Sequence, residues 1–264
     1  MNEVRIFEAS RSDEDVLLIL VTNDDGVFSP GLKILAKSLA SLGRVVVAAP
    51  DRERSGVSHS LTLHLPLRAE ELKPDVYAID GTPTDCINLG VHALLKTRPD
   101  LVVSGINKGG NLGDDITYSG TVSAAMEATV MGVQAIAVSL ISQTFNPTDF
   151  SIAATFATEL AKLVSQRQLP PDTFLNVNVP PGIPKGSRLT RQGKRSYDEA
   201  IVENVDPRGR KYYWIGGGKL GFQNVEGTDV NAVHDGYISI TPLHLDLTNY
   251  HSFDTLSDWG IESL

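Results

Sequence analysis

"VLLILVTNDDGVFSPGLKILAKSLASLGRVVVAAP", residues 16–50, decides how the rest of the chain is read. Residues 16–22 form an unbroken aliphatic run, the pattern of a strand covered on both faces. After the turn at Asp24-Asp25-Gly26, Ser29 suits a helix cap, Pro30 its first position and Gly43 its end. Leu32, Leu35, Leu39 and Leu42 recur at helical spacing and make one apolar stripe. Residues 44–50 read as the next buried strand. Strand, helix, strand in this order is one right-handed parallel crossover unit.

The alternation repeats downstream. Helices are expected over 84–96, over 119–132 with Gly132 as its stop, and over 149–168 with Phe156, Leu160 and Leu163 on one face. Strands are expected over 100–107, 133–140 and 174–180. Together they predict an α/β fold, a three-layer αβα sandwich around a mostly parallel, Rossmann-like sheet. Beyond residue 185 the pattern changes. Residues 188–217 hold short β-prone pieces around the turn signal Asp206-Pro207-Arg208-Gly209, which predicts a C-terminal β-hairpin extension. Residues 234–243 read as one more strand. The trio Tyr212, Tyr213 and Trp214 suits either packing on the main domain or a projecting arm that meets another subunit. The expected organisation is a polar extension over 1–15, a Rossmann-like metal- and phosphate-binding core over 16–185, and the arm, final strand and tail over 186–264.

Composition narrows the partners. The chain has 264 residues, enough for a substantial core. Its 32 acidic side chains outnumber the 23 basic ones, which argues against a nucleic-acid polymer as partner. A small anion stays open, because a bound cation or a few backbone amides reverse the local field. The lone Cys86 reads as a small buried apolar residue; with no possible internal disulfide, the expected compartment is the reducing cytoplasm. Val16–Val21 is far too short to span a bilayer, so no membrane partner is expected, and residues 1–15 lack the apolar stretch of a signal peptide.

Chemistry gathers where strands end, since ligands of open parallel sheets bind beyond the carboxyl ends of strands. Three loops share one edge there: Asn23 to Gly26, "DRERSGVSHS" (51–60) and "NKGGNLGDD" (107–115). They offer carboxylates, the Ser55 hydroxyl, the Asn107 carboxamide, Lys108 and many backbone amides. Oxygen donors without a Cys or His cluster suit Mg²⁺ or Mn²⁺. A dication between Asp24 and Asp25 would offset their repulsion; the plainer alternative is a solvated turn. The glycine-rich stretch 104–128 runs into a helix whose first turn, at Ser119, Gly120 and Thr121, presents N–H groups to an anion, with phosphate the expected guest. A P-loop is excluded, because Asn111-Leu112 follows Gly110, and G-x-G-x-x-G and G-x-S-x-G are unmet. His59 and His64 flank "SLTL", where one of them serves either as an acid facing the site or as a loop histidine; His92 reads as structural. Gly81-Thr82-Pro83-Thr84 is a tight turn into a helix, with Thr84 as cap and Asp85 in the first turn, and forms a candidate pocket wall.

"VTNDDG", "PDRERSGVSHSLT", "GTPTDC", "SGINKGGNLG", "YSGTVSAAMEA" and "FLNVNVP" occur in this order between residues 21 and 180. This series resembles the stationary-phase survival protein SurE family. The resemblance implies a metal-dependent phosphomonoesterase that hydrolyses nucleoside 5'- and 3'-monophosphates, with one Mg²⁺ or Mn²⁺ per subunit. It places the metal on Asp24, Asp25, Ser55 and Asn107. It also implies a homodimer or homotetramer, held partly by a hairpin over about residues 195–215. In this reading Asp24 and Asp25 are catalytic, with Asp25 orienting a water or taking its proton, while Lys108 and residues 119–121 receive the phosphate. The rival is a non-catalytic nucleotide or phosphate sensor that uses the same cradle. The fifteen-residue leader departs from the family pattern.

Overall fold

The aliphatic run forms strand β1 (Leu17–Thr22), which the computed structural model, describing residues 16–196, 201–215 and 221–261, places near the middle of a nine-stranded sheet. Helix α1 (Pro30–Leu39) and strand β2 (Gly43–Pro50) complete the first crossover. A short pair, β3 (Ala69–Lys73) and β4 (Val76–Ile79), precedes helix α2 (Pro83–Leu89) and strand β5 (Leu101–Lys108). Helix α3 (Gly120–Val130), β6 (Gln134–Leu140), α4 (Pro147–Arg167) and β7 (Thr173–Val179) continue the alternation. The C-terminal part adds β8 (Ser187–Leu189), β9 (Arg195–Ser196), β10 (Ile201–Val205), β11 (Lys211–Ile215) and β12 (Gly221–Phe222). Helix α5 (Asp229–His234), β13 (Ile238–His244) and α6 (Phe253–Ser257) complete the chain.

Strand order in the main sheet is β3-β4-β2-β1-β5-β6-β7-β13-β8. The six strands from β4 to β7 are all parallel, and β3 and β13 join their edges antiparallel. From β1 the chain builds outward through β2 and β4, then crosses back to β5 on the other flank of β1 and builds the opposite way. The gap between β1 and β5 is therefore the topological switch point, where such sheets open a crevice.

Alternation along the strands sends side chains to two helical layers. Ile19 and Val21 bury with Leu32, Leu35 and Leu39 of α1 and the alanine face of α4. Leu18 and Leu20 bury on the other side with Cys86 and Ile87 of α2 and Val122, Ala124 and Ala125 of α3. Full burial of one such leucine contributes about 1.5–3 kcal/mol before entropy is counted. The αβα sandwich is as expected.

Several details differ from the sequence reading. Helix α1 stops at Leu39 with Ala40 as its cap, and Gly43 opens β2 because pairing with Leu17 claims it. Thr82, not Thr84, caps α2: Pro83 takes the first helical position, so the cap falls one residue earlier, with Asp85 bonding back to it. That helix ends at Leu89 and widens into a π-turn over Gly90–Leu94, where His92 is exposed. The inner face of α4 is Phe150, Ala153, Ala154, Ala157 and Ala161, whereas Leu163 is 52% exposed. Small residues win there because α4 lies against both α1 and the sheet. The last strand begins at Ile238, and the residues before it form α5. Strands β10 and β11 form the expected hairpin, with Glu203 opposite Tyr213 and Val202 opposite Trp214. Its residues are exposed throughout, so the aromatic trio does not pack on the main domain. Residues 1–15, read as a polar extension, and residues 197–200 of the expected hairpin lie outside the described residues. Among the described residues no helix is long and apolar enough to cross a membrane.

Candidate active site

At the switch point β1 delivers Asn23, Asp24 and Asp25, and β5 delivers Asn107 and Lys108. Gly26 then turns the chain at φ +93°, a conformation that side chains resist, and the Arg52 backbone would lie 3.0 Å from any Cβ there. The turn brings the loop after β2 alongside: Val27 N–H donates to Pro50 O at 2.8 Å and Arg54 N–H to Asp24 O at 2.7 Å. Ser55 follows directly and is exposed, its hydroxyl donating to Glu53 Oε1 at 2.8 Å. Lys108 N–H donates to Asp25 Oδ2 at 3.2 Å, so the two strand ends are joined across the crevice. The Asn107 amide donates through Nδ2 to Gly109 O at 2.9 Å, which orients its carbonyl oxygen.

Asp24 is almost wholly buried, and its environment is set by the start of α3. The Thr121 hydroxyl donates to Asp24 Oδ1. Gly120 lies against the same side chain: a Cβ there would fall 2.9 Å from Asp24 Cβ. The Ser119 hydroxyl caps α3 by accepting from Val122 N–H at 3.1 Å. Ser119 and Thr121 thus spend their hydroxyls within the protein, the one on the helix and the other on the carboxylate. Burial still wins at Asp24 and pushes its carboxyl upward. Asp25 is pushed up to about 6, first by burial and then by the neighbouring Asp24 charge, with the Lys108 ammonium opposing both. Glu53 adds to the negative field at both aspartates.

Two like charges this close and this buried call for a positive partner beyond one lysine. Asn23 Oδ1 is also buried without a partner. Among the described residues no three His, Cys, Asp or Glu side chains cluster as metal ligands. A cation here would rest on two carboxylates and neutral oxygens, a donor set that fits Mg²⁺ or Mn²⁺ and does not fit zinc.

On the α2 and α3 side of the sheet, apolar positions give way to polar ones toward the carboxyl ends of the strands. Leu20 is followed by Thr22, Val102 by Ser104, Ala137 by Ser139, and Phe174 by Asn176 and Asn178, all buried. The glycine-rich loop after β5 sits on this floor. Asn111 N–H donates to Asn178 Oδ1 at 2.8 Å, and Asn111 Nδ2 to Ser139 Oγ at 2.7 Å. Asn176 and Asn178 both donate to Asn111 O, at 2.9 and 3.0 Å. The sequence reading missed these residues, although two asparagines inside an apolar strand were a usable signal, because buried amides require partners. It also missed Asp85 as an anchor. Its carboxylate accepts from Thr62 N–H at 2.9 Å, from the Thr62 hydroxyl at 2.6 Å and from Thr82 N–H at 2.8 Å, which ties down the strap carrying Ser55. On that strap His59 Nε2 meets Glu127 Oε2 at 2.6 Å, so the structure gives His59 a holding contact, while His64 is exposed.

Residues 19–199 match the family model described as "Survival protein SurE". The chain is 64% identical over 245 residues to the 5'-nucleotidase SurE of Syntrophotalea carbinolica, covering 93% of this chain and 98% of that protein. It is 62% identical over 250 residues to the protein of the same name in Geobacter metallireducens, with the same two coverages of 93% and 98%. Among solved structures, the SurE protein of Aquifex aeolicus superposes with a TM-score of 0.83 at 48% identity, covering 92% of this chain and 99% of that one.

Proposed function

The chain belongs to the survival protein SurE family, and on that premise we propose that it is a phosphomonoesterase hydrolysing nucleoside 5'-monophosphates, and 3'-monophosphates, to nucleoside and phosphate. The observation that carries this reading is the bond from Lys108 N–H to Asp25 at 3.2 Å, which joins the two strand ends at the switch point around a buried acidic pair. Asp24, Asp25, Ser55 and Asn107 would hold one Mg²⁺ or Mn²⁺ per subunit. Once bound, that ion polarises the phosphoryl oxygens and offsets their charge.

The remaining work falls to the chain itself. Thr121 holds Asp24 in place through its hydroxyl, so the buried carboxylate keeps one orientation. Asp25, the more accessible of the pair, orients the attacking water and takes its proton. Lys108 neutralises charge as it builds on the phosphoryl oxygens, and Gly120, having no Cβ, lets the start of α3 pack directly against Asp24. The strap over residues 55–62, tied to Asp85, closes one side of the pocket. The exposed hairpin of β10 and β11 suits docking on a second copy in a homodimer or homotetramer. A single buried thiol and an acidic surface fit the cytoplasm, with no role for a nucleic-acid polymer.

Asp24→Asn tests the assignment. Phosphate release from AMP with Mn²⁺ should fall by at least about 100-fold, the scale expected when transition-state charge loses its support. Turnover near that of the parent would refute it. A non-catalytic sensor would instead bind AMP in EDTA and release no phosphate at all.

A further inference from the structure

We propose that Asp229 is a positioning residue for the phosphate side of this site: its carboxylate ties the turn beginning at Gly113 to the root of the hairpin arm at Gly193. The proposal rests on the phosphomonoesterase reading above. Asp229 is fully buried at the start of α5. Its Oδ2 accepts from Gly113 N–H at 2.8 Å, and its Oδ1 accepts from Gly193 N–H and Val230 N–H, each at 2.8 Å. Gln192 Nε2 donates to Gly113 O at 3.1 Å, so Gly113 is held at both its N–H and its carbonyl. Beside this joint Lys194 Nζ lies 3.6 Å from Asp114 Oδ1.

The joint leads straight to the site. From Gly113 a 3₁₀ turn runs to Thr117. Thr117 O accepts the Ser58 hydroxyl at 2.7 Å and Tyr118 O accepts Ser58 N–H at 3.1 Å, on the strap that carries Ser55. The next residue is Ser119, the cap of α3, whose first turn holds Asp24. Helix α5 itself does not require Asp229 as a cap, because Thr228 already accepts from Asn231 N–H. A carboxylate kept wholly out of water persists only when fully hydrogen-bonded. Here two of the three bonds join the two segments, at Gly113 and Gly193, and the third stays within α5 at Val230.

The two oxygens have different partners, and this makes a clean experiment. In Asp229→Asn a carboxamide oxygen in the Oδ1 place keeps Gly193 and Val230, while the NH₂ group faces the Gly113 N–H and that one bond is lost. Phosphate release from AMP with Mn²⁺, and binding of inorganic phosphate by calorimetry, are compared with the parent. The expected result is a rise of about tenfold in both KM and the phosphate Kd, a smaller change in kcat, and a melting temperature within a few degrees. Gln192→Ala, on an exposed side chain, should move both constants the same way by less. A KM and phosphate Kd within about twofold of the parent in both variants overturns the proposal, even if Asp229→Asn melts lower. Should Asp229→Asn fail to fold, Gln192→Ala decides alone. A parent that binds phosphate but releases none from AMP would refute the phosphomonoesterase reading instead.

Discussion

Glu127 shows how single side chains in this protein are kept ionised out of water. It is buried on α3, receives Asn88 Nδ2 at 2.6 Å on one oxygen and meets His59 Nε2 at 2.6 Å on the other. The bond to His59 foremost, with the Asn88 bond, holds the carboxyl below its ordinary value of 4.5 against the opposing effect of burial. A carboxyl lowered in the folded state contributes stability that is complete above its unfolded pKa and fades as pH falls through the folded value. Glu127→Gln should therefore melt a few degrees below the parent at about pH 6, matching about 1–2 kcal/mol of charged hydrogen bonding. The gap should close as the pH is lowered from about 5 to about 3, and parallel curves across that range would contradict the assignment. At this scale the acidic pair, Ser55, Asn107 and Lys108 are legible in the sequence, because each sits within a few residues of a recognisable strand end. Their holders are not. Thr121 reaches Asp24 across 97 residues and Asp229 reaches Gly113 across 116, distances over which no local pattern speaks.

Elements were legible where burial was two-sided. β1, β2, β5, β6 and β7 stand out as aliphatic runs because helices cover both of their faces. β3 carries no strand signal, because every one of its residues is exposed and its sequence, AEELK, reads as helix or loop. Its pairing is set by β4, which supplies the register from outside the segment. The inner face of α4 is legible in part: Phe156 and Leu160 pack against the core as their spacing predicts, but Leu163 does not, and the deepest positions are alanines, which close packing against α1 and the sheet admits. The hairpin of β10 and β11 was legible through its turn, and its exposure gives it a testable use. Tyr212, Tyr213, Trp214 and Ile215 are 43%, 56%, 64% and 90% exposed on one short strand. Tyr212 and Trp214 share one face of the strand and Tyr213 and Ile215 the other, and such exposure suits the docking on a second copy proposed above. Trp214→Glu should shift the protein to a smaller species in light scattering while the melting curve of the subunit core is kept. An unchanged mass would contradict the proposal that the arm docks on a second copy.

For the whole molecule the decisive feature is the reversal of strand order between β1 and β5. It alone brings Asp25 and Lys108, 83 residues apart, into one crevice, and the alternation of strands and helices makes it inferable. What no pattern could supply is the second half of the chain folding back: β13 and β8 extend the main sheet, and α5 reaches the site loop through Asp229. The central claim is that this crevice binds a hard cation between its strand ends. Crystals soaked in Mn²⁺ and measured at the manganese absorption edge test it most directly. The account predicts an anomalous peak about 2.2 Å from carboxylate oxygens of both Asp24 and Asp25, with Ser55 and Asn107 beside it. A map with no peak between those two aspartates, in a crystal that takes up manganese elsewhere, would contradict it.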